Sequence, residues 1–403
     1  MIQKVQSNVW REVRRHLRAS RAYTDAQLRS SEQSCTVADG AVARIDIAHL
    51  PANHPTEDYY AAAKCLSSEA FLFGVFDGHG GNSCSRYIST RLFDYISASI
   101  LKQHIVTDLP IRDRLHWFFT NGDLLDEMYR ENHLKNIENF YNEAVSDSTM
   151  TTVRKALELS FCACDSDLST NALDERHSEL SKQYTGMVMA GSCAVVAHIR
   201  GVNLHVANVG DSAAVLGLYS QGVISAMPLS KPHCVDNADE VQRIRDAHPH
   251  SETNNLIVGG RLFGELFPFR AFGDVRYKWS AELQKDILGA KSHSLPYGMD
   301  SPPYLSSLPE VHEDLKQRLH RTSKKPLDEN SATHLLRHAL GGPGEVSAQY
   351  LRLIEMLQLP PDVTRRYRDD ITIIVIHFNQ KYLHHPGMPQ GSKIDVSNNF
   401  YLE

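Results

Sequence analysis

The sequence predicts an α+β fold, in which antiparallel strands and helices follow one another without a regular order. Three apolar segments between Cys193 and Leu218 are joined by turns too short for a parallel crossover, so we expect them to pair antiparallel. Helical spacing of apolar residues occurs before and after these segments. Because strands and helices do not alternate regularly, a doubly wound sheet is disfavoured.

An acidic, glycine-containing turn joins the first predicted strand to the first predicted helix. The run from Ala70 to Phe76 is continuously apolar and predicts a buried strand. A helix is expected from about Ser83, because apolar residues recur at every fourth position: Ile88, Leu92, Ile96 and Ile100. A second helix is predicted over residues 152–168, where apolar side chains again fall on one face.

A meander of strands and a capped helix follow. The expected strands are Cys193 to Ile199, Val202 to Val209 and Ala213 to Leu218. Asn237 is a candidate N-cap with Glu240 in capping-box position, and the residues expected to face inward from that helix are Val241, Ile244 and Ala247. The last buried strand is predicted from Ile371 to Phe378.

Composition excludes several classes of protein. The 403 residues carry a net charge of −6, so a nucleic-acid-binding surface is not expected. The longest apolar runs are far shorter than a membrane span, and no transmembrane segment is predicted. The 7 cysteines are odd in number and form no Cys-x-x-Cys pair, which indicates reduced thiols in an intracellular compartment rather than a disulfide framework or a zinc site.

No flexible linker divides the chain, so one domain is expected over residues 35–380, followed by a tail over 381–403. The first 24 residues contain six Lys and Arg residues and a single acid, Glu12, with apolar residues at near-helical spacing. This pattern is typical of a mitochondrial transit segment. A basic surface helix is the alternative interpretation.

Acidic residues at the ends of predicted strands carry the candidate chemistry. Three such sites are Glu57-Asp58, Asp77-Gly78 and Asp369-Asp370, and Asp211 is a fourth candidate. Carboxylates without thiolates or a zinc-type histidine pair suit Mg²⁺ or Mn²⁺. His79 follows Asp77 closely and could exchange a proton at neutral pH. An isolated Asp-Gly pair is more often only a turn, and the turn at Asp211 has the same ordinary interpretation.

Six short segments, in this order, resemble landmarks of the metal-dependent serine/threonine protein phosphatase (PPM) family. They are Pro55-Thr56-Glu57-Asp58, Gly74 to Gly81, Gly191 to Ala194, Ala207 to Ser212, Phe269 to Asp274 and Arg368 to Thr372. The longer block from Phe267 to Ser280 is similar to the pyruvate dehydrogenase phosphatase branch, as are Leu50 to Asn53 and Ala332 to Ala339.

The resemblance implies a sandwich of two antiparallel sheets flanked by helices, with two metal ions, Mg²⁺ or Mn²⁺, in a cleft at one edge. It implies that four groups bind metal: the side chains of Asp77, Glu57 and Asp369 and the Gly78 carbonyl. It also implies that Asp58 orients a metal-bound water and that His79 protonates the leaving serine oxygen. Asn53 occupies the position where many members have an arginine that holds the substrate phosphate.

The branch resemblance also implies the substrate, a partner and a location. The substrate would be phosphorylated pyruvate dehydrogenase, the partner would be the lipoyl-bearing acetyltransferase core, and the location would be the mitochondrial matrix.

The sequence departs from the family pattern after Pro309-Glu310-Val311. The family continues with an apolar strand that ends in a metal-binding Asp-Gly pair, whereas here a mostly charged and polar stretch runs from His312 to Pro326 and no Asp-Gly follows Gly78. One core strand and one metal ligand are therefore predicted to be missing. Two hypotheses follow: an active metal-dependent phosphatase, or a catalytically weakened isoform that docks on the complex without efficient turnover.

Overall fold

The computed structural model describes residues 21–37, 40–100, 110, 113–122, 127–146, 152–173, 179–220, 223–288, 296, 298–314 and 328–383. The chain divides into two compact units: Met1–Asp58 with Thr322–His377, and Tyr59–Arg321 with Phe378–Glu403. Most of the candidate transit segment and most of the tail lie outside the described residues. The single domain predicted over residues 35–380 stays a prediction.

The described residues form fifteen strands and several helices. The strands are β1 Gln33–Thr36, β2 Val42–Leu50, β3 Asp58–Cys65, β4 Ala70–His79, β5 Leu115–Thr120, β6 Gly191–Ser192, β7 Ala194–Arg200, β8 Asn203–Val209, β9 Val215–Ser220, β10 Val223–Pro228, β11 Ile257–Val258, β12 Arg261–Leu262, β13 Phe272–Gly273, β14 Glu310–Asp314 and β15 Ile371–Phe378. The helices are α1 (residues 21–29), α2 Ser83–Ile100, α3 Glu127–Ser146, α4 Val153–Ala172, α5 Glu179–Met189, α6 Ala238–Ala247, α7 Thr253–Leu256, α8 Ala281–Leu288, α9 Ser331–Gly341, α10 Val346–Leu357, α11 Pro361–Thr364 and α12 Gln380–Leu383. These antiparallel sheets and helices confirm the predicted α+β class.

The first unit contains a three-stranded sheet in the order β1-β2-β15. Helices α9 and α10 supply apolar side chains to its core, where Leu336 and Leu353 pack with Leu50 of β2. Helix α9 begins at the N-cap Asn330, whose side chain accepts a hydrogen bond from the backbone N–H of Thr333 at 2.9 Å. The sheet thus has an apolar covering formed by residues distant in the sequence.

Strand β15 was predicted to be buried, and this prediction is wrong. The predicted bounds agree with the structure, but all eight residues are only half-buried. Among the described residues, β15 lies at the edge of its sheet and pairs only with β2. An apolar run predicts the strand but not how many neighbours cover it.

The second unit contains an eight-stranded sheet whose main path is β13-β6-β4-β7-β8-β14, with β3 joined to β4 and β5. The hairpin of β7 and β8 pairs His198 with His205, and β4 pairs with β7 so that Gly74 faces Val196. Helix α2 packs against this sheet, and the four residues of its predicted apolar stripe are all buried: Ile88, Leu92, Ile96 and Ile100. The predicted strand and helix on either side of Asp77 are therefore confirmed, but β4 extends to His79, so Asp77 and Gly78 lie in the strand and not in the predicted turn.

Helix α6 begins where the capping pattern predicts. The side chain of Asn237 accepts a hydrogen bond from the backbone N–H of Glu240. Ile244 is fully buried and Val241 packs partly against the same core cluster, whereas Ala247 is exposed. The inward orientation predicted for Ala247 is wrong, because this residue is the last of the helix and lies beyond the turn that contacts the core.

Strand β14 lies where the sequence departs from the family pattern, and its pairing was not predicted. Its residues pair antiparallel with β8, with Val311 opposite Ala207. Residues 315–327 lie outside the described part of the chain, so the missing core strand stays a prediction. Within the described helices, none is both long and apolar enough to cross a bilayer.

Candidate active site

Three candidate residues lie at the carboxyl end of β4. Gly78 and His79 pair with Ser192 and Gly191 of β6, so the backbone of Asp77-Gly78-His79 is fixed by strand pairing. Two glycines with positive φ, at +68° and +117°, then turn the chain from β4 toward α2. The polar side chains are thus placed at the end of a rigid, buried strand.

The imidazole of His79 is held by a carboxylate that the sequence analysis did not assign to the site. Nε2 of His79 lies 2.6 Å from Oδ2 of Asp274, and the Asp274 side chain is only 8% exposed. Burial of the ring opposes protonation, but the nearby carboxylates of Asp274, Asp77 and Asp211 outweigh it, so the pKa of His79 is raised. Asp274 is the last residue of the family-like segment Phe269 to Asp274, but nothing in its spacing indicated a contact with His79.

Asp211 is anchored to the same end of the sheet through a cysteine. The thiol of Cys193 donates to Oδ1 of Asp211 at 3.1 Å, and the backbone N–H of Cys193 donates to the carbonyl of Asp77 at 2.8 Å. Burial, together with the charges of Asp211 and Asp77, raises the pKa of the Cys193 thiol well above its usual value. Burial and these charges therefore favour the neutral thiol of Cys193.

In the first unit, Asp370 organises the loop that carries Glu57. Its carboxylate accepts hydrogen bonds from the backbone N–H groups of Ala52, Asn53 and Glu57 and from the hydroxyl of Thr56. Burial of Asp370 favours the neutral acid, but these hydrogen bonds favour the carboxylate more, so the pKa of Asp370 is lowered. Sequence reasoning included Asp370 in the candidate pair Asp369-Asp370 but missed this role.

The two adjacent aspartates differ in their surroundings. The side chain of Asp369 is 61% exposed and forms an ion pair with Arg365, whereas Asp370 is buried. Alternation along an extended segment predicts that neighbours point to opposite sides, but it does not predict which neighbour is exposed. The exposed Asp369 is the one that the family resemblance assigns to metal.

Asn53 contacts carboxylates in this structure. Its Nδ2 donates to Oε2 of Glu57 at 2.9 Å and to Oδ2 of Asp370 at 3.2 Å. An amide nitrogen has two hydrogens, so both are engaged. A contact between Asn53 and a substrate phosphate would require one of these bonds to open.

Asp58 is positioned by a short chain of hydrogen bonds. The hydroxyl of Thr372 lies 2.7 Å from Oδ2 of Asp58 and 2.9 Å from Nδ1 of His49. Asp58 itself is buried. Its carboxylate is therefore held in a fixed orientation by β15, as a residue that orients a water molecule would need to be.

The donor chemistry of these residues fits a hard divalent cation. Within the described part of the chain, no three His, Cys, Asp or Glu side chains form a group that could hold a metal ion by themselves. Such a group is not required, because Mg²⁺ keeps several waters and commonly binds one or two carboxylates together with phosphate oxygens. The candidate ligands are carboxylates and a carbonyl, which favours Mg²⁺ or Mn²⁺ over zinc.

Comparisons with known proteins show which proteins this chain is similar to. A family model described as "Protein phosphatase 2C" matches residues 125–320. The chain is 32% identical to "[Pyruvate dehydrogenase [acetyl-transferring]]-phosphatase 2, mitochondrial" of Homo sapiens, over 91% of this chain and 84% of that protein. It is 33% identical to the human phosphatase 1 of the same description, over 83% of this chain and 77% of that protein. It is 26% identical to a "Protein phosphatase 2C homolog" of Schizosaccharomyces pombe, over 89% of this chain and 85% of that protein.

Proposed function

The chain belongs to the protein phosphatase 2C (PPM) family of serine/threonine phosphatases, and from this membership we propose that it is a metal-dependent enzyme that dephosphorylates serine in pyruvate dehydrogenase. The observation that carries the proposal is the end of β4, where His79 is held by Asp274 beside Asp77 and Asp211. An acid and carboxylates at one strand end are the groups that phosphate ester hydrolysis needs.

We assign the metal ligands from the family resemblance: Asp77, the Gly78 carbonyl, Glu57 and Asp369. When bound, Mg²⁺ or Mn²⁺ would lower the pKa of a coordinated water and neutralise phosphoryl charge. The chain's own residues then have separate tasks. Asp370 holds the Glu57 loop, and Asp58, fixed by Thr372, orients the attacking water.

His79 supplies the proton for the leaving group. A serine alkoxide is a poor leaving group, so protonation of its oxygen as the P–O bond breaks lowers the barrier. The Asp274 carboxylate, 2.6 Å from Nε2, raises the pKa of His79 and so favours the protonated ring.

Phosphate release from a phosphoserine peptide tests the enzymatic part of this proposal. We expect release with millimolar Mg²⁺ or Mn²⁺, none with a chelator, and loss of nearly all activity in Asp77→Asn. Asp286→Asn is the matched control, because it makes the same chemical change at an exposed position of α8. Equal rates for wild type and Asp77→Asn would contradict the proposal.

The substrate, partner and location are proposed from the names of the relatives and from the branch resemblance. We expect faster release from phosphorylated pyruvate dehydrogenase than from an unrelated phosphoprotein, binding to the lipoyl-bearing acetyltransferase core in a pull-down, and recovery of the full chain in the mitochondrial matrix on fractionation. Equal rates on both phosphoproteins would remove the substrate assignment and leave the family assignment intact.

The weakened, docking-only isoform is the second candidate. It is favoured by the sequence after Val311, where no Asp-Gly pair replaces the expected metal ligand. Binding to the complex with no metal-dependent rate would support it, whereas turnover that depends on Asp77 would exclude it.

A further inference from the structure

We propose that Asp274 is a positioning residue for His79: it fixes the ring with Nε2 toward the carboxylate, so that Nδ1 is the nitrogen that delivers the proton to the leaving oxygen. The proposal deepens the proposed function and rests on it. The balance of the step is simple. The Nδ1–H bond breaks, the proton joins the serine oxygen as its bond to phosphorus breaks, and the ring is left neutral with Nε2–H still bonded to Asp274.

The hydrogen bond between His79 and Asp274 is the first observation that supports the proposal. A distance of 2.6 Å between Nε2 and Oδ2 is short, as expected for a hydrogen bond to a charged acceptor. Asp274 is buried, whereas the His79 side chain keeps 25% of its surface exposed. One nitrogen of the ring is therefore committed to a buried carboxylate, while part of the side chain stays exposed.

The backbone of Asp274 is the second support. Its φ of 51° and ψ of 41° lie in the left-handed region, which residues with a Cβ rarely adopt. Its N–H donates to the carbonyl of Ala190 at 3.0 Å, and its carbonyl accepts from Tyr277 at 2.9 Å. Such conformations concentrate at functional sites, where the surrounding structure holds them.

Gly273, the residue before Asp274, is also held in place by hydrogen bonds. Gly273 has a φ of +65°, and its N–H donates to Oδ1 of Asp165 at 2.7 Å. Nζ of Lys278 lies 2.6 Å from the other oxygen of Asp165. These contacts fix the segment that presents Asp274 to His79.

Gly191 is the third support. A Cβ at this position would come within 3.0 Å of both His79 Nε2 and Asp274 Oδ2, which real Cβ atoms do not do. Gly191 pairs with His79 on β4 and with Gly273 on β13. The strand between the two partners therefore has no side chain at the one place where a side chain would separate them.

Asp274→Asn is the first variant to test, because asparagine tolerates the left-handed conformation and keeps the shape of the side chain. With a phosphoserine peptide we expect kcat to fall about 10- to 100-fold, as for partial loss of general acid catalysis, with KM changed less than about twofold. With p-nitrophenyl phosphate, whose leaving group needs little protonation, the fall should be at most about threefold.

The contrast between the two substrates separates positioning from a merely structural role. A structural or metal-binding defect would reduce both rates equally, and that result would overturn the proposal, as would an unchanged kcat on the peptide. Asp286→Asn serves again as the matched control. If Asp274→Asn does not fold, Asp274→Gly removes the carboxylate while relieving the left-handed backbone, and the same contrast is expected.

Two further readouts complete the test. In a His79→Gln background, Asp274→Asn should cause no additional loss, because its effect acts through the ring. Nitrogen-15 shifts of His79, identified by their absence in His79→Gln, should show Nε2 protonated in wild type and a changed pattern in Asp274→Asn. Identical shifts would overturn the proposal even if the chain had no activity, whereas a wild type inactive on both substrates would overturn only the proposed function.

Discussion

Asp369 and Asp370 are adjacent in the sequence, but we expect their replacement to have opposite consequences. Asp370→Ala would leave the buried N–H of Ala52 and the half-buried N–H groups of Asn53 and Glu57 without their acceptor. A buried donor without a partner costs about 1–3 kcal/mol, so we expect an unfolding free energy lower by about 3 kcal/mol. Asp369→Ala removes an exposed ion pair worth about 0–1 kcal/mol, so we expect near-normal stability with loss of activity.

Urea unfolding of both variants, beside phosphate release by the folded protein, checks this pair. A stable Asp370→Ala or a strongly destabilised Asp369→Ala would show that the roles of the two carboxylates are assigned wrongly.

Gly273 offers a second test at the scale of a residue. A Cβ there would clash with the carbonyl oxygen of Ala190, and φ is already +65°. Gly273→Ala should therefore lower the unfolding free energy by about 1–3 kcal/mol. Gly217→Ala on β9 is the control, because an added Cβ meets nothing within 4 Å. Equal melting temperatures for the two variants would contradict this reading of the backbone.

Residue types at strand ends could be predicted from the sequence, but contacts between distant segments could not. The strand that carries Asp77 follows from an apolar run, but the Asp-Gly pair predicted to form the turn lies inside β4, and the chain turns only after His79. The contact of His79 with Asp274 joins residues 195 positions apart. No local pattern predicts such a pairing, because it depends on β6 lying between β4 and β13.

At the scale of elements, the periodicity of apolar residues predicted where a helix or strand forms better than it predicted how deeply that element is buried. Helix α2 and the hairpin of β7 and β8 follow from their apolar spacing, and the structure confirms both. Strand β14 was missed because its sequence, Glu310–Asp314, is mostly charged and pairs at a sheet edge. The burial of β15 was overestimated because burial depends on neighbouring elements that a single segment does not reveal.

The β7–β8 hairpin carries a pH prediction. His198 is buried beside His205, with ring centroids 5.6 Å apart, and in the described structure neither ring nitrogen of His198 has a hydrogen-bond partner. Burial, with the charges of His205 and Arg200, lowers the pKa of His198 to about 3. Arg154 and Glu313 are the other charged groups that face this histidine pair.

The direction in which pH changes the stability follows from the difference in the pKa of His198 between the unfolded and the folded chain. An unfolded chain binds this proton with the usual histidine pKa of 6.5, whereas in the folded protein the pKa of His198 is about 3. Stability is therefore retained above pH 6.5 and lost as the pH falls toward 3, by about 2 kcal/mol at pH 5. His198→Phe keeps an aromatic ring and should flatten this part of the profile. Urea midpoints at pH 7, 6 and 5 measure the slope, and equal slopes in both proteins would contradict the assignment.

At the scale of the whole molecule, family membership and the altered region after Val311 lead to opposite expectations about catalytic activity. Identity to the human phosphatases extends over most of the chain, which favours a conserved reaction. The lack of an Asp-Gly pair after Gly78 favours a weakened metal centre. Only the rate of the full chain distinguishes an active enzyme from a docking protein, because both would keep the same fold.

The most direct test of the central claim is phosphate release from phosphorylated pyruvate dehydrogenase by the full chain, after a cooperative melt has been confirmed. With millimolar Mn²⁺ or Mg²⁺ we predict sustained release that stops on chelation and falls at least about 100-fold in Asp77→Asn. A cooperatively folded wild type that releases no phosphate with either metal, or an Asp77→Asn variant as fast as wild type, would contradict the account.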